Sequence, residues 1–299
     1  MKNIDEILSE YAYDASGLDD LGPALDALRA KSTSHLDDAA ALETMFNSID
    51  LTTLSHTDSA SSVRVFVEKV NKFATEYPDI KNVGGICVYS VFAPILKNAL
   101  KVDGVHRAVV AACFPSSQAF ADIKAAEVSK SVEAGATEVD VVISVGEFLD
   151  HEYQFVYEEL LKLREACGGA RLKVILETGA IPTHRQMWEA SIIAMEAGAD
   201  FIKTSTGKNC GGATPEAAMV MCAAIKAYAA KTGRKVGFKP AGGVSTAEEA
   251  CLYYEIVRST LGQEWLVNTL FRIGASRLAN NLLGRILELK GRPSAEKFF

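Results

Sequence analysis

The sequence has 299 residues, of which 48% are hydrophobic and 23% are charged, and its formal net charge is -7. This length and composition suit one large globular domain or two small ones. The acidic balance argues against the electrostatic footprint of a nucleic-acid-binding protein. No run of 18 apolar residues predicts a membrane span, and the first residues lack the apolar core of a signal peptide.

The cysteines and histidines are scattered. None of the six cysteines forms a C-x-x-C pair, and the five histidines form no H-E-x-x-H motif. A chain of this length does not need disulfides, so we expect free thiols and a cytoplasmic protein. The spacing predicts no built-in metal site and no cofactor.

Residues 1–45 are predicted to form a helical extension ahead of a domain that spans residues 46–299. Ile4, Ile7, Leu8 and Tyr11 follow the spacing of one helix face. The extension carries no chemical motif. The extension could instead form part of the contact between subunits of a homo-oligomer.

From residue 46 onward, short apolar runs alternate with amphipathic stretches. The predicted strands are 47–53, 83–89, 106–113, 138–144, 171–178, 201–206, 235–242 and 270–276. The predicted helices are 60–76, 91–101, 117–134, 151–167, 183–197, 214–231, 246–260 and 277–289. Eight such pairs predict an α/β protein with a (β/α)₈ TIM barrel. An open doubly wound sheet is the alternative, but no G-x-G-x-x-G motif follows the first strand.

Two lysines stand inside predicted strands. Lys203 follows Phe201 and Ile202, and Lys239 follows Gly237 and Phe238. Strands of a parallel barrel are buried on both faces, so a lysine there is unexpected. Neighbouring strands would hold the two ammonium groups close together, and both repulsion and loss of water favour a neutral amine. A neutral lysine attacks carbonyl carbons, which is the route to a Schiff base.

Further charges stand inside strands at Asp50, Asp140, Lys173 and Glu177. A structural interpretation pairs Asp140 with Lys173, and the two strand lysines with Asp140 and Glu177. The catalytic interpretation is favoured because two lysines and an aspartate fall on predicted strands 4, 6 and 7. It makes Lys203, Lys239 and Asp140 the catalytic residues.

Glycines follow the last three strands. They occur in Gly207-Lys208, in Gly242-Gly243 and in Gly274-Ala275-Ser276. Barrels commonly bind a substrate's phosphate with the loops after strands 7 and 8, where glycine lets backbone N–H groups approach the oxygens. This pattern predicts a small phosphorylated substrate.

Four motifs resemble the deoxyribose-phosphate aldolase family: Glu138-Val-Asp-Val-Val142, Phe201-Ile-Lys-Thr-Ser-Thr-Gly-Lys208, Val236-Gly-Phe-Lys-Pro-Ala-Gly-Gly243 and Arg272-Ile-Gly-Ala-Ser276. Residues 50–54 and 86–89 are also similar to the first two strands of that family. The resemblance implies reversible, metal-free cleavage of 2-deoxy-D-ribose 5-phosphate into acetaldehyde and D-glyceraldehyde 3-phosphate, in deoxyribose phosphate catabolism.

The resemblance also implies residue roles. Lys203 would be the Schiff-base lysine, and Asp140 and Lys239 would handle protons. The predicted substrate-binding residues are Asp50, Thr52, Cys87, Thr206, Gly207, Lys208, Gly242, Gly243, Gly274 and Ser276.

Two positions depart from the family pattern. Arg277 stands where members often carry a second phosphate-binding serine, and Phe299 stands where some members carry a tyrosine thought to help proton transfer. Two other functions remain open. The first is another Schiff-base barrel aldolase, or a transaldolase, acting on a different phosphorylated sugar. The second is a non-catalytic phosphosugar-binding barrel or scaffold.

Overall fold

The chain folds into a closed parallel barrel. The computed structural model describes residues 3–208, 210–293 and 297–299. Its strands are β1 (Ile49–Thr52), β2 (Gly85–Tyr89), β3 (His106–Val110), β4 (Glu138–Val142), β5 (Arg171–Ile175), β6 (Phe201–Lys203), β7 (Gly237–Lys239) and β8 (Ile273–Ala275). Neighbours pair in the order β7-β6-β5-β4-β3-β2-β1-β8. Parallel bridges from Phe238 to Phe271 and from Ala241 to Gly274 join the two ends. The predicted TIM barrel is confirmed.

Each strand lies within its predicted run but is shorter than that run. The run at 201–206, for example, yields a strand that ends at Lys203. Thr204 and Ser205 are no longer in the strand, yet both are fully buried. The sequence pattern reports burial, and burial continues into the loops at the carboxyl end of the barrel. This explains why the predicted strands run too long.

Helices surround the barrel. The extension contributes α1 (Ile4–Ser9), α2 (Ala15–Leu18), α3 (Gly22–Ser32) and α4 (Ala39–Asn47). The barrel helices are α5 (Ala60–Glu76), α6 (Ala93–Ala99), α7 (Ala121–Glu133), α8 (Val145–Leu149), α9 (Tyr153–Cys167), α10 (His184–Glu196), α11 (Pro215–Thr232), α12 (Ala247–Leu261) and α13 (Leu278–Leu289). Among these described helices, none has the length and apolar character needed to cross a membrane.

Polar side chains fix where several barrel helices begin. The side chains of Ser59 and Thr246 each accept a hydrogen bond from a backbone N–H of the first turn. A side chain of that turn, from Ser62 or Glu249, accepts in return from the backbone N–H of the cap residue. Thr183 and Thr214 cap α10 and α11 through their hydroxyl oxygens. Such caps satisfy N–H groups that have no partner within the helix. They orient the helix starts at the carboxyl end of the barrel.

The extension is helical, as predicted, and packs on the outer helices. Ile4 and Ile7 are buried in the main hydrophobic core. The Tyr11 hydroxyl donates to Glu196 on α10 at 2.6 Å, and His35 Nε2 lies 2.7 Å from Glu255 on α12. The division of the chain into two parts at residue 45 stays a prediction.

The main core lies between the sheet and its helices, whereas the barrel interior is partly polar. A small apolar cluster of Leu54, Cys87, Ala108 and Val110 lines one side of the interior. The interior also carries charged residues from β1, β4, β5, β6 and β7, together with Arg272, the residue before β8. The barrel interior therefore holds buried charged side chains, which are candidates for catalytic groups.

Candidate active site

The two strand lysines meet inside the barrel. Lys203 and Lys239 are direct partners in the β6–β7 register, so their side chains share the inner face. Both donate to the same oxygen, Asp140 Oδ2, at 2.9 Å from Lys203 Nζ and 2.8 Å from Lys239 Nζ. The predicted trio of lysines and aspartate is therefore a contiguous group in the structure.

A wider set of buried charges supports this trio. Lys173 Nζ donates to Asp140 Oδ1 at 3.0 Å and lies 2.6 Å from Glu138 Oε2. Arg272 Nη2 donates to Glu138 Oε1 at 2.9 Å. Asp50 joins the set by accepting from Lys239 and from Arg272. We name the seven residues the interior cluster: Asp50, Glu138, Asp140, Lys173, Lys203, Lys239 and Arg272.

The pKa of Lys203 is lowered from its ordinary value. Burial is the largest cause, because the side chain is 5% exposed and water no longer stabilises its charge. Asp140 opposes this change, and the ammonium group of Lys239 adds to it. The direction agrees with the expectation from the sequence, which named both repulsion and loss of water. In the structure, loss of water is the larger of these two causes.

The pKa values of the groups around Lys203 are shifted in the direction that favours their ordinary protonation states. Burial lowers the pKa of Lys239, but Asp140 and Asp50 outweigh it and the net pKa is raised. Burial likewise raises the pKa of Asp140, but three lysines outweigh it and hold the pKa well below its usual range. Burial raises the pKa of the Cys87 thiol to about 11. Lys203 is thus the lysine of this group whose pKa is lowered, the direction that favours the neutral, nucleophilic form.

A cavity of about 240 Å³ opens above Lys203 at the carboxyl end of the strands. Its wall consists of Thr52, Leu54, Lys203, Thr206, Gly207, Lys208, Ala241, Gly242, Gly243, Val244, Ser245, Gly274, Ala275, Ser276 and Arg277. Lys203 forms part of this wall, whereas Asp140 and Lys239 are fully buried in the barrel interior and do not line the cavity. A substrate in the cavity would meet Lys203 first.

Glycine is required where the loops after β6 and β7 touch. Gly242 has φ +83°, and a Cβ built on it would lie 2.9 Å from Gly212 Cα and 3.1 Å from Gly207 Cα. A side chain would therefore separate the two loops and strain the backbone. Lys208 links the loop after β6 to the loop after β1, because its Nζ donates to the Leu54 carbonyl at 2.6 Å. These contacts fix the rim of the cavity.

Eight of the ten predicted substrate-binding residues line the cavity: Thr52, Thr206, Gly207, Lys208, Gly242, Gly243, Gly274 and Ser276. Asp50 and Cys87 lie elsewhere. Asp50 is fully buried one layer below Thr52, where its carboxylate is held by Lys239 and Arg272. Cys87 is 1% exposed and packs in the small apolar cluster. Both lie in the barrel interior, and their assignment as substrate contacts stays a prediction.

Sequence reasoning missed Glu138 and Arg272 as parts of the site. The spacing of the strand residues could have identified them, because inward-facing positions on a strand recur every second residue. Glu138 stands two residues before Asp140, and Arg272 stands two residues before Gly274. Arg277, noted earlier as a departure from the family pattern, also lines the cavity.

A larger cavity of about 920 Å³ lies on the outside, between the extension and α13. Its charged residues include Arg285, which pairs with Asp37 and with Glu288, both largely exposed. Such exposed pairs are typical of a solvated surface. Within the described ranges, no group of three or more His, Cys, Asp or Glu residues is arranged to hold a metal ion.

Comparison with known proteins agrees with this geometry. The model of the DeoC/LacD family of aldolases matches residues 44–260. The deoxyribose-phosphate aldolase of Homo sapiens is 41% identical over 245 residues, which cover 78% of this chain and 77% of that protein. A crystal structure from Toxoplasma gondii ME49 shares the fold with a TM-score of 0.75 at 19% identity, covering 87% of this chain and 97% of that one.

A tetrameric deoxyribose phosphate aldolase from Aeropyrum pernix is 25% identical, with a TM-score of 0.64, and the match covers 85% of this chain and 95% of that one. The family model covers more than half of the sequence and includes β1 to β7, which supply six of the seven interior-cluster residues. With the barrel and a buried lysine of lowered pKa, these matches show that the chain is an aldolase of the DeoC/LacD family.

Proposed function

We propose that this protein is a class I aldolase that reversibly cleaves 2-deoxy-D-ribose 5-phosphate into acetaldehyde and D-glyceraldehyde 3-phosphate. The observation that carries the proposal is Lys203, a buried lysine of lowered pKa in the wall of a glycine-rimmed cavity. The deoxyribose-phosphate aldolases at 41–45% identity support the choice of substrate.

The phosphate of the substrate would bind at the rim. The loops after β6, β7 and β8 contribute Gly207, Gly242, Gly243 and Gly274, and the last of these loops also contributes Ser276. Backbone N–H groups and a hydroxyl suit phosphate oxygens. Lys208 and Arg277 add positive charge in the same wall. This end of the cavity would hold the phosphate and leave C1 of the open-chain sugar facing Lys203.

Bond formation would begin at Lys203 Nζ. The neutral amine attacks C1 to give a carbinolamine, which loses water to give a protonated imine. A proton released from Lys203 has a short path, because Asp140 Oδ2 contacts both Lys203 Nζ and Lys239 Nζ. We assign Asp140 and Lys239 to proton transfer, since a group within hydrogen-bond reach is what general acid–base catalysis requires.

Cleavage would follow from the imine. When the C3 hydroxyl gives up its proton, the C2–C3 electron pair moves into the iminium group. Glyceraldehyde 3-phosphate leaves and an enamine remains on Lys203. Protonation of the enamine at C2 and hydrolysis then release acetaldehyde and the free lysine. The positive nitrogen of the imine is the electron sink for the C2–C3 cleavage step.

The test is turnover of deoxyribose 5-phosphate, followed by coupling the glyceraldehyde 3-phosphate formed to a reductase. Wild type and Lys226→Met should be active, since Lys226 is exposed on α11, whereas Lys203→Met should be inactive. Preference for another phosphorylated sugar in a panel would identify a different aldolase. Failure to turn over every sugar in the panel would favour a binding barrel.

The oligomeric state and the cellular location of the protein do not follow from the active site. The tetrameric state of the Aeropyrum pernix enzyme supports a homo-oligomer here too. Light scattering of the purified protein should then give a multiple of the 32.1 kDa chain mass, and the monomer mass would refute it. A cytoplasmic location and the absence of nucleic-acid partners stay predictions from the sequence.

A further inference from the structure

The charges of the interior cluster do not balance when every group is ionised. The cluster holds three carboxylates, Asp50, Glu138 and Asp140. It also holds four cations, Lys173, Lys203, Lys239 and Arg272. All seven side chains are at most 5% exposed, and ion pairs link them into one network. Because water is largely excluded, a surplus charge costs much more here than at the surface.

Loss of one proton makes the cluster neutral, and the structure indicates which group loses it. Net pKa values are raised for Lys173, Lys239 and Arg272, because nearby carboxylates outweigh the burial that lowers them. Lys203 is the member of the four whose pKa is lowered. It has one carboxylate contact, to Asp140 Oδ2, whereas Lys173 has three and Lys239 has two.

We propose that Glu138 and Arg272 are positioning residues that keep Lys203 neutral through the charge balance of the interior cluster. This inference rests on the proposed function, since it concerns how the imine-forming amine is prepared. Neither residue lines the cavity wall described above, so neither is placed to touch a substrate. Their effect on Lys203 would pass through Lys173, Asp50 and Asp140.

The other titratable groups around the interior cluster are not counted in its net charge. Cys87 on β2 stays a neutral thiol because burial raises its pKa to about 11. Burial lowers the pKa of His106 on β3, which favours its neutral form. Glu177, after β5, accepts hydrogen bonds from the backbone N–H and the hydroxyl of Thr206, and Lys208 donates to the Leu54 carbonyl at the rim. These contacts are with residues outside the interior cluster.

Arg171 provides a matched comparison for Arg272. Both guanidinium groups donate to Glu138 Oε1 at 2.9 Å. The Arg171 side chain is 33% exposed, whereas that of Arg272 is 0% exposed. Water screens the charge of Arg171 much more strongly. Removing Arg272 should therefore affect Lys203 much more than removing Arg171.

The experiment measures the pH dependence of imine formation with acetaldehyde, trapped by borohydride at Lys203. Glu138→Gln removes a negative charge and leaves a positive surplus, so the profile should move to lower pH. Arg272→Met removes a positive charge and favours protonated Lys203, so the profile should move to higher pH. Each shift should be about one pH unit, as for a unit charge acting through a partly buried network.

The double variant Glu138→Gln/Arg272→Met restores the balance, so its profile should return to that of wild type. It keeps the test decisive if either single variant folds poorly. Arg272→Lys, which keeps the charge, and Arg171→Met should both stay within a few tenths of a unit of wild type.

Two results would overturn the inference. One is a shift in the same direction for both single variants. The other is a double variant displaced from wild type. A wild-type protein that traps no imine at Lys203 would instead refute the proposed function, so the two failures are distinguishable.

Discussion

At the scale of single residues, the reactivity of Lys203 depends on where its amine lies. The group is buried in the barrel, shares one carboxylate oxygen with a second lysine, and borders the cavity that would hold the substrate. Burial removes the water that stabilises an ammonium ion, and Lys239 adds repulsion. Asp140 opposes this change and accepts a hydrogen bond from each lysine. In the proposed mechanism the same three side chains would set the protonation state of Lys203 and transfer its proton.

Lys239 should have two separable effects, on charge and on proton transfer. Lys239→Met removes the repelling charge, so the pH profile of imine formation should move alkaline by about one unit. Lys239→Arg keeps the charge but exchanges protons poorly. It should slow the reaction at every pH with little displacement of the profile. Identical profiles for both variants and wild type would show that Lys239 does not tune Lys203.

Activity should not depend on a metal ion. The protonated imine supplies the electron sink that a divalent cation supplies in enolate-forming aldolases. Turnover of deoxyribose 5-phosphate should therefore be unchanged after exhaustive treatment with EDTA. Activity that disappears and returns with zinc would indicate metal-stabilised chemistry instead.

At the scale of elements, the loops after β6 and β7 act as one rim. Gly242→Ala would place a methyl group 2.9 Å from Gly212 Cα and separate these loops. Losing one or two hydrogen bonds to a phosphate costs about 1.5–3 kcal/mol, so KM for deoxyribose 5-phosphate should rise about ten- to hundred-fold. Turnover of unphosphorylated deoxyribose should change little.

Gly243→Ala is the matched control for the rim. Its φ of +85° is close to that of Gly242, but a Cβ there meets no atom within 4 Å. It should share the backbone strain and lack the collision, so its effect on KM should be clearly smaller. Equal effects of the two substitutions on both sugars would mean that the loop is structural.

The elements were largely predictable from the sequence because burial and helix periodicity are local patterns. The strand carrying Lys203 and the helix at 60–76 were both located correctly. Depth within the barrel was not predictable, because it depends on the stagger between strands. Asp50, for example, was predicted as a substrate contact alongside Thr52, and the sequence did not show that it lies a layer below Thr52 in the barrel. Glu138 was missed for a different reason: its place two residues before Asp140 on β4, a signal that the sequence did contain, was not used.

At the scale of the whole molecule, the extension and the barrel are joined by a buried carboxylate. Glu255 on α12 accepts hydrogen bonds from Arg258 and Ser259, and it contacts His35 of the extension at 2.7 Å. Burial would raise the pKa of Glu255, but these donors outweigh it and lower the pKa to about 2. Ionised Glu255 therefore favours the folded state.

Acid should remove that contribution over a defined range. Since the folded pKa lies below the ordinary value of 4.5, the stabilisation is present above about pH 4.5 and is lost as pH falls towards 2. Glu255→Gln should lower the free energy of unfolding at pH 7 by about 2 kcal/mol and flatten its dependence on pH between 5 and 2. Denaturant unfolding at several pH values measures both, and an unchanged slope would contradict the assignment.

The most direct test of the central claim is to locate the covalent intermediate. The protein is incubated with acetaldehyde at pH 7.5, reduced with borohydride, digested and analysed by mass spectrometry. We predict one reduced ethyl adduct, on Lys203, that is absent from Lys203→Met and present in Lys226→Met. An adduct on Lys173 or Lys239, or a wild-type protein without any adduct, would contradict Schiff-base catalysis at Lys203.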